Sequence, residues 1–250
     1  MATIAQSPAE RKASDRKFYT RMALFLVFLV LLGFGPSFYL RGIVPSYPRP
    51  NPTLPPAVLL HGTVFTIWMA LIVAQTQLIS AKKHEIHMRL GKLTVVFAIL
   101  MIPVMYLTTM WQVARANQPP FTDPLTWTIV PLAVIIPFAV MVWNGWTHRR
   151  NAAWHKRSMM CAAILVVMGP TIGRLPLAPP TMLGFSILHL LGFAVFIPLI
   201  LRDRRTEGHI HPATRLGLAM AAVAILTPLT VFWLNLPWAR VAANLPGVDV

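Results

Sequence analysis

Residues Ala57–Ala114 read AVLLHGTVFTIWMALIVAQTQLISAKKHEIHMRLGKLTVVFAILMIPVMYLTTMWQVA, and this stretch decides the fold. Two apolar runs, each more than twenty residues long, flank the basic turn Lys82–Lys92. An α-helix rises about 1.5 Å per residue, so about twenty apolar residues cross the roughly 30 Å of hydrocarbon in a bilayer. The stretch therefore predicts two membrane-spanning helices joined by a charged turn at one membrane face.

The rest of the chain repeats this pattern. The composition, 56% hydrophobic and 12% charged, lies outside the range of soluble globular domains. We predict an all-α polytopic membrane bundle at 20–240, with a cytoplasmic tail at 1–19 and an outer tail at 241–250. Six prolines inside the spans predict kinks: Pro103, Pro131, Pro137, Pro170, Pro198 and Pro228. The seven predicted transmembrane windows are 20–41, 57–80, 93–114, 125–147, 158–177, 181–201 and 215–238.

The basic residues predict the orientation. With seven spans, 17 of the 22 Lys and Arg residues fall on the side of the N-terminus. Cytoplasmic loops carry such an excess, so we expect the N-terminus inside and the C-terminus outside, in a bacterial inner membrane. The net charge of +15 is then explained by the basic residues on one side of the membrane, and the expected partner is the lipid bilayer. The charge does not predict nucleic-acid binding. The polar start differs from a cleaved signal peptide, so we expect the first span to be retained.

Acidic residues and cysteine exclude several kinds of site. All the carboxylates are expected in loops or tails, which argues against a carboxylate proton relay inside the membrane. Cys161 is the only cysteine, so the chain forms neither an intrachain disulfide nor a thiolate metal cluster. The seven acidic residues are Glu10, Asp15, Glu85, Asp123, Asp203, Glu207 and Asp249.

Two histidines are predicted at similar depths below the outer face. By helix rise, His61 lies roughly 8 Å and His189 roughly 10 Å below that face. Arg174 reaches the same boundary on the fifth span. Two neutral imidazoles and an arginine form the minimum set for a haem that is ligated by two histidines and has a propionate paired to arginine. Alternatively, the same two imidazoles could be ligands of a copper ion.

Four more histidines are predicted to cluster at the inner face: His84, His87, His148 and His155. A His-x-Arg pattern begins both the third and the fifth helix, at His87 and at His155. With Glu85 the cluster could bind copper, iron or zinc, whereas with Arg89 and Arg157 it could bind an anionic headgroup, haem propionates or a phosphate. The alternative is a solvated basic turn without a site. Gln75 is expected to form an interhelical hydrogen bond.

Several motifs resemble those of a family of small bacterial multi-pass membrane proteins. They are LLGFGPSFYLR, LHGTVFTIWMALIVAQTQLI, HEIHMRLGKL and WHKRSMM…GPTIGRLP, and they cover the first six helices. A histidine pair near each membrane face is also similar to the transmembrane b-type cytochromes, which hold two haems across a helix bundle. That resemblance implies outer ligands at His61 and His189, and inner ligands at His87 and His155.

The expected function is a haem protein that passes electrons between membrane quinol and a partner. One alternative is a transporter or sensor in which His61, His189 and Arg174 line a polar cavity open to the outside. Another is a metal-dependent membrane enzyme that uses the inner histidines. The sequence has no phosphate loop, nucleotide fingerprint or nucleophile elbow, which argues against kinase, nicotinamide and hydrolase chemistry.

Overall fold

The structure, a computed structural model, describes residues 7–44 and 53–248. These residues form helices and no β-strand. A π-helical turn, Gly35–Tyr39, extends the first helix, and a 3₁₀ segment, Gly192–Phe196, joins the eighth helix to the ninth. The helices are α1 (Pro8–Phe34), α2 (Pro56–Ser80), α3 (His84–Arg115), α4 (Pro124–Trp127), α5 (Ile129–Leu132), α6 (Ile135–Thr147), α7 (Ala152–Ile172), α8 (Met182–Leu191), α9 (Ile197–Glu207), α10 (Pro212–Trp233) and α11 (Trp238–Ala242).

The predicted membrane character is confirmed, with six helical stretches that are long and apolar enough to cross a bilayer. The helix α7 is not among them, because His155, Lys156 and Arg157 occupy its first turns. Length and composition therefore support six spans where the hydropathy windows predict seven. The six stretches are Ala9–Tyr39, Pro56–Ser80, His84–Arg115, Pro124–Thr147, Met182–Glu207 and Pro212–Trp233.

The helix α7 lies at the centre of the bundle. It packs against α1, α6, α8 and α10 and against the 3₁₀ segment. Met160–Met168, nine consecutive residues, are all buried, whereas the other long helices each expose an apolar face. A helix enclosed by protein on every side can carry polar groups that a lipid-facing helix could not.

Consecutive side chains near the start of α7 bond to different neighbouring helices. Each residue turns about 100° around the helix axis, so successive side chains point in different directions. This is the basic end of the bundle, where α1, α3, α7 and α10 begin and α2, α6 and α9 end. The bonds are His155 Nδ1 to Gly145 O on α6 (2.8 Å), Lys156 Nζ to Asp15 Oδ2 on α1 (2.6 Å), Arg157 Nε to Asp203 Oδ1 on α9 (2.8 Å) and Ser158 Oγ to Asn144 Oδ1 on α6 (2.7 Å).

Two glycines allow close helix crossings on α7. A Cβ atom at Gly33 on α1 would lie 2.9 Å from the Cα of Thr171. A Cβ atom at Gly217 on α10 would collide with the side chain of Cys161. Small residues at such crossings let helix backbones approach, which is how membrane helices gain van der Waals contact without a hydrophobic driving force.

The boundaries of several elements differ from the hydropathy windows. The helix α1 begins at Pro8, where Ser7 and Glu10 form a capping box, so part of the predicted 1–19 tail is helical. Asn151 caps α7 by accepting hydrogen bonds from the next turn, so this helix starts six residues before the 158–177 window. The 125–147 window contains three short helices, with Pro131 inside α5, whereas Pro103 lies within the continuous helix α3.

The expectation that all acidic residues lie in loops or tails is wrong. Glu10 and Asp15 lie in α1, Glu85 lies in α3, and Asp203 and Glu207 lie in α9. Only Asp123 is found in a loop as expected, and Asp249 lies outside the described residues. Hydropathy places an acid that stands among arginines outside a span. It cannot show that one helix continues from the apolar span through this charged segment.

Asp203 and Arg157 form a buried ion pair. Asp203 has no exposed side-chain surface, and Arg157 is 2% exposed. Asp203 Oδ2 also accepts the backbone N–H of His211 (3.1 Å), and Arg157 Nη2 donates to Glu207 Oε1 (2.5 Å). Arg157 Nη1 donates to the Ala153 carbonyl (3.0 Å), so every side-chain nitrogen and oxygen of the pair has a partner, as buried charges require.

We predict that Arg157→Met lowers the free energy of unfolding by about 3–5 kcal/mol, because it leaves the buried Asp203 carboxylate without its counter-charge. SDS-induced unfolding in mixed micelles measures this change. Arg89→Met is the matched control, since the Arg89–Glu85 pair is 80% and 72% exposed. It should change the free energy of unfolding by no more than about 0.5 kcal/mol. Equal losses in the two variants would contradict a structural role for the buried pair.

Candidate functional site

The structure brings His87 and His155 together at the basic end. His87 lies in the first turns of α3, and His155 lies in the first turn of α7. Their ring centroids are 6.2 Å apart and their planes are nearly perpendicular, at 84°. Both side chains are half-buried. The repeated His-x-Arg pattern therefore places one imidazole from each copy at a common position.

The tautomer of His155 is fixed by its neighbour. Its Nδ1 lies 2.8 Å from the carbonyl oxygen of Gly145 on α6. A carbonyl oxygen can only accept, so Nδ1 carries the hydrogen and donates it. The other ring nitrogen, Nε2, then keeps its lone pair and can bind a metal or accept a proton.

Gln75 on α2 holds His87. This buried amide lies between His87 and Thr94, both on α3. With its nitrogen turned toward His87, the amide donates to the backbone oxygen of His87 (3.2 Å) and to His87 Nδ1, while its oxygen accepts from the backbone N–H of Gly91 (2.9 Å) and from the Thr94 hydroxyl (3.2 Å). An amide carries a donor and an acceptor, so a half-turn of Gln75 would instead present oxygen to an Nδ1–H of His87. The predicted interhelical role of Gln75 is confirmed.

The other two histidines of the predicted cluster do not join His87 and His155 in a metal-binding group among the described residues. His148 Nδ1 bonds to the carbonyl oxygen of Asn144 (2.9 Å), and its ring stacks on Trp154 at a centroid distance of 4.7 Å. His84 is exposed at the first residue of α3. Within residues 7–44 and 53–248, no group of three or more His, Cys, Asp or Glu side chains could hold a metal ion. Among the described residues, His87 and His155 therefore provide two ligands at most.

The two inner arginines differ in their availability. Arg157, predicted to bind anions, directs its Nε, Nη1 and Nη2 at Asp203, Ala153 and Glu207, so it serves the ion pair. Arg89 pairs with Glu85 at the surface, 2.5 Å away, where water can replace either partner. Of these two predicted anion-binding residues, Arg89 is therefore the one that could form an ion pair with a ligand.

At the opposite end, His61 and His189 lie on helices with different neighbours. His61 on α2 stacks on Phe65, with ring centroids 4.2 Å apart, and α2 packs against α1 and α3. His189 on α8 lies 3.8 Å from the Phe185 ring, and α8 packs against α7 and α10. In the described part of the chain, neither buried Nδ1 has a hydrogen-bond partner. The shared ligand site of these two histidines stays a prediction.

Arg174 contacts residues at the end of α1 and α7. Its guanidinium is 4.1 Å from the centroid of the Phe34 ring on α1, and its Nη1 donates to the Pro170 carbonyl at 2.6 Å. The charge of Arg174 acts on His61. The outer arginine is thus held in a cation–π contact at the end of α1 and α7.

The sequence reasoning missed the role of Asp203. The signal was present in LRDRR, Leu201–Arg205, where one acid stands among three arginines directly after an apolar run. If such an acid is buried, it needs a cation on a neighbouring helix, because an unpaired buried charge is strongly destabilising. No protein-family model, curated protein or solved structure matches this chain.

His211 provides a pH-dependent contribution to stability beside the buried ion pair. It caps α10, because its Nδ1 accepts the backbone N–H of Ala213 at 3.0 Å. Burial, together with the positive charge of Arg157, lowers the pKa of His211 below its ordinary value. The folded protein therefore favours the neutral ring, and protonation favours unfolding.

We predict that the midpoint of thermal unfolding in detergent falls as the pH drops below about 6.5, the ordinary pKa of an unfolded histidine. His211 contributes to this fall, since below that pH the unfolded state takes up a proton that the folded protein, in which the pKa of His211 is lowered, binds less readily. His211→Asn keeps a capping acceptor that does not titrate, so it should reduce the fall between pH 7.5 and pH 5.5. The same fall in the wild type and this variant would rule out His211 as a contributor.

Proposed function

We propose that this protein is a seven-span protein of the bacterial inner membrane that binds haem through His87 and His155 and passes electrons between membrane quinol and a partner. The single observation that supports the site is the meeting of these two imidazoles, each with its Nδ1 engaged by another helix.

The seventh span in this proposal is α7. It has 21 residues, which at about 1.5 Å per residue is about 31 Å, the thickness of the hydrocarbon layer. The helices that enclose it would shield its polar first turns from lipid. The basic end, with most of the Lys and Arg residues, would face the cytoplasm.

The distance between the two rings favours a shared metal. Two imidazoles that held one metal ion between them would have their rings close together, because metal–nitrogen distances are about 2.0–2.1 Å. The centroids of His87 and His155 are 6.2 Å apart. Metal-binding histidines usually bond through their other ring nitrogen to a carbonyl or a carboxylate, as His155 does with Gly145.

The number of protein ligands favours haem over a bare ion. A structural zinc site takes four protein ligands and a catalytic zinc site takes three, whereas a haem iron needs only two axial ligands from the protein. Haem, when bound, supplies reversible one-electron chemistry. For His87 to hold the haem through Nε2, Gln75 would present its oxygen to an Nδ1–H of His87, as the Gly145 carbonyl does for His155. Arg89 lies at the surface, where a propionate could meet it. Copper is the alternative for a two-imidazole site.

One observation favours the alternative of a transporter or sensor. The buried Nδ1 atoms of His61 and His189 have no hydrogen-bond partner among the described residues. An unsatisfied buried nitrogen is costly, so it favours a polar substrate or water at that end. The metal-dependent enzyme is less favoured, because no third protein ligand joins His87 and His155 in the described ranges.

We predict a Soret band in the protein purified in mild detergent, with a shift on reduction by dithionite. His87→Ala and His155→Ala should each lose most of this absorbance, since each would remove one of the two residues that hold the haem. His148→Ala is the control, because His148 is a histidine at the same end that bonds only within its own turn and to Trp154. Oxidised and reduced spectra with metal analysis on the same samples measure these outcomes.

Other results would overturn the assignment. Absorbance lost in His61→Ala or His189→Ala, but kept in His87→Ala and His155→Ala, would move the haem to the opposite end. A protein that stays colourless and free of metal after incubation with hemin would exclude the cofactor function and leave the transporter or sensor.

A further inference from the structure

A groove lies between α1 and α9 at the basic end. It consists of two adjoining concavities of about 440 Å³ and about 300 Å³. Both are lined by Phe18 and Arg202, so they form one continuous depression. We call it the α1–α9 groove. It is separate from the pair of His87 and His155, which lies between α3 and α7.

Arg202 fixes the two walls of the groove. Its Nη1 donates to the Ser14 hydroxyl at 2.8 Å, and its Nη2 donates to Asp15 Oδ1 at 2.9 Å. Its guanidinium also lies 5.6 Å from the centroid of the Phe18 ring. Asp15 is also bound by Lys156 on the central helix α7. These contacts fix the positions of α1 and α9 on the two sides of the groove.

The mouth of the groove carries unneutralised positive charge. Lys17, Arg21 and Arg205 line it, are exposed, and form no ion pair within the described part of the chain. The buried Nε of Arg202 has no hydrogen-bond partner there either. The acid that lines the mouth, Glu10, is held in the capping box of α1. The mouth therefore offers several cationic donors to an anion.

The inner wall of the groove is apolar. On α9 it consists of Ile197, Pro198 and Leu201, and Ile197 is 50% exposed. Both helices change from basic to apolar at the groove, after Arg21 on α1 and before Arg202 on α9. The groove thus has a cationic mouth at the level of lipid headgroups and an apolar wall that continues toward the lipid tails.

We propose that the α1–α9 groove binds an anionic phospholipid, with the phosphate at Lys17, Arg21 and Arg205 and an acyl chain along Ile197 and Leu201. Basic pockets between membrane helices on the cytoplasmic side recognise such headgroups, and the ion pairs with phosphate are charge-assisted hydrogen bonds. The proposal needs the membrane setting of the bundle but does not depend on a bound haem. A free phosphate would satisfy the mouth but leave the apolar wall exposed.

Delipidated protein in non-ionic detergent tests the proposal. Phosphatidylglycerol should raise the midpoint of thermal unfolding in a saturable manner, whereas phosphatidylcholine with the same acyl chains should not. The triple variant Lys17→Gln/Arg21→Gln/Arg205→Gln should bind phosphatidylglycerol on the order of 100-fold more weakly, because each cationic contact is worth about a factor of five. Native mass spectrometry counts the lipids that remain bound.

A matched control removes the same charge elsewhere at the basic end. Lys82→Gln/Lys83→Gln/Lys92→Gln changes three exposed lysines outside the groove and should keep the effect of phosphatidylglycerol. If both triple variants weaken the lipid effect equally, the charge acts diffusely and the site is excluded. Inorganic phosphate that stabilises as much as phosphatidylglycerol would also exclude a lipid site.

A substitution in the apolar wall completes the test. Ile197→Asn should weaken the effect of phosphatidylglycerol without changing any response to inorganic phosphate. An unchanged lipid effect in this variant would overturn the role of the wall. Because all the substituted side chains are exposed, the variants should fold, and the spectra of any bound haem provide an independent check that they do.

Discussion

The buried guanidinium of Arg157 is the interaction on which the rest of the bundle depends. A charge taken out of water is costly, and leaving it unpaired costs several kcal/mol. Arg157 is neutralised by Asp203 and Glu207 on α9, and Asp203 also binds the backbone just before α10. The ion pair thus fixes α7, α9 and α10 relative to one another. The position of His155, two residues before Arg157, follows from the same constraint.

Hydropathy predicts best the helices that face lipid. The window 57–80 matches α2 (Pro56–Ser80) within one residue, because the same apolar surface that defines the window is exposed in the bundle. It predicts α7 less well, since the polar first turns of that helix contact protein. The acids of α1 and α9 were misplaced for the same reason: a residue scale registers the polarity of Asp203 but not the arginine that neutralises it.

The candidate site was predicted in part. The repeat of His-x-Arg at two helix starts correctly indicated that His87 and His155 share one end, and the structure places them side by side. Helix rise also gives His61 and His189 similar depths. Depth, however, fixes a residue along the membrane normal and not around the bundle, so it could not show that α2 and α8 have different neighbours. Gln75 was expected to bond between helices, but its partner His87 depends on the α2–α3 crossing.

The composition of α7 bears on how the chain enters a membrane. A helix that starts with His155, Lys156 and Arg157 is poorly suited to partition into lipid alone, because cationic side chains within a span oppose insertion. Its partners for those side chains come from both directions along the chain: Asp15 precedes it, whereas Asp203 is synthesised later. If α7 is the seventh span proposed above, it could complete its ion pairs only after α9 had been synthesised and inserted. Biogenesis and tertiary folding are then a single process for the central helix.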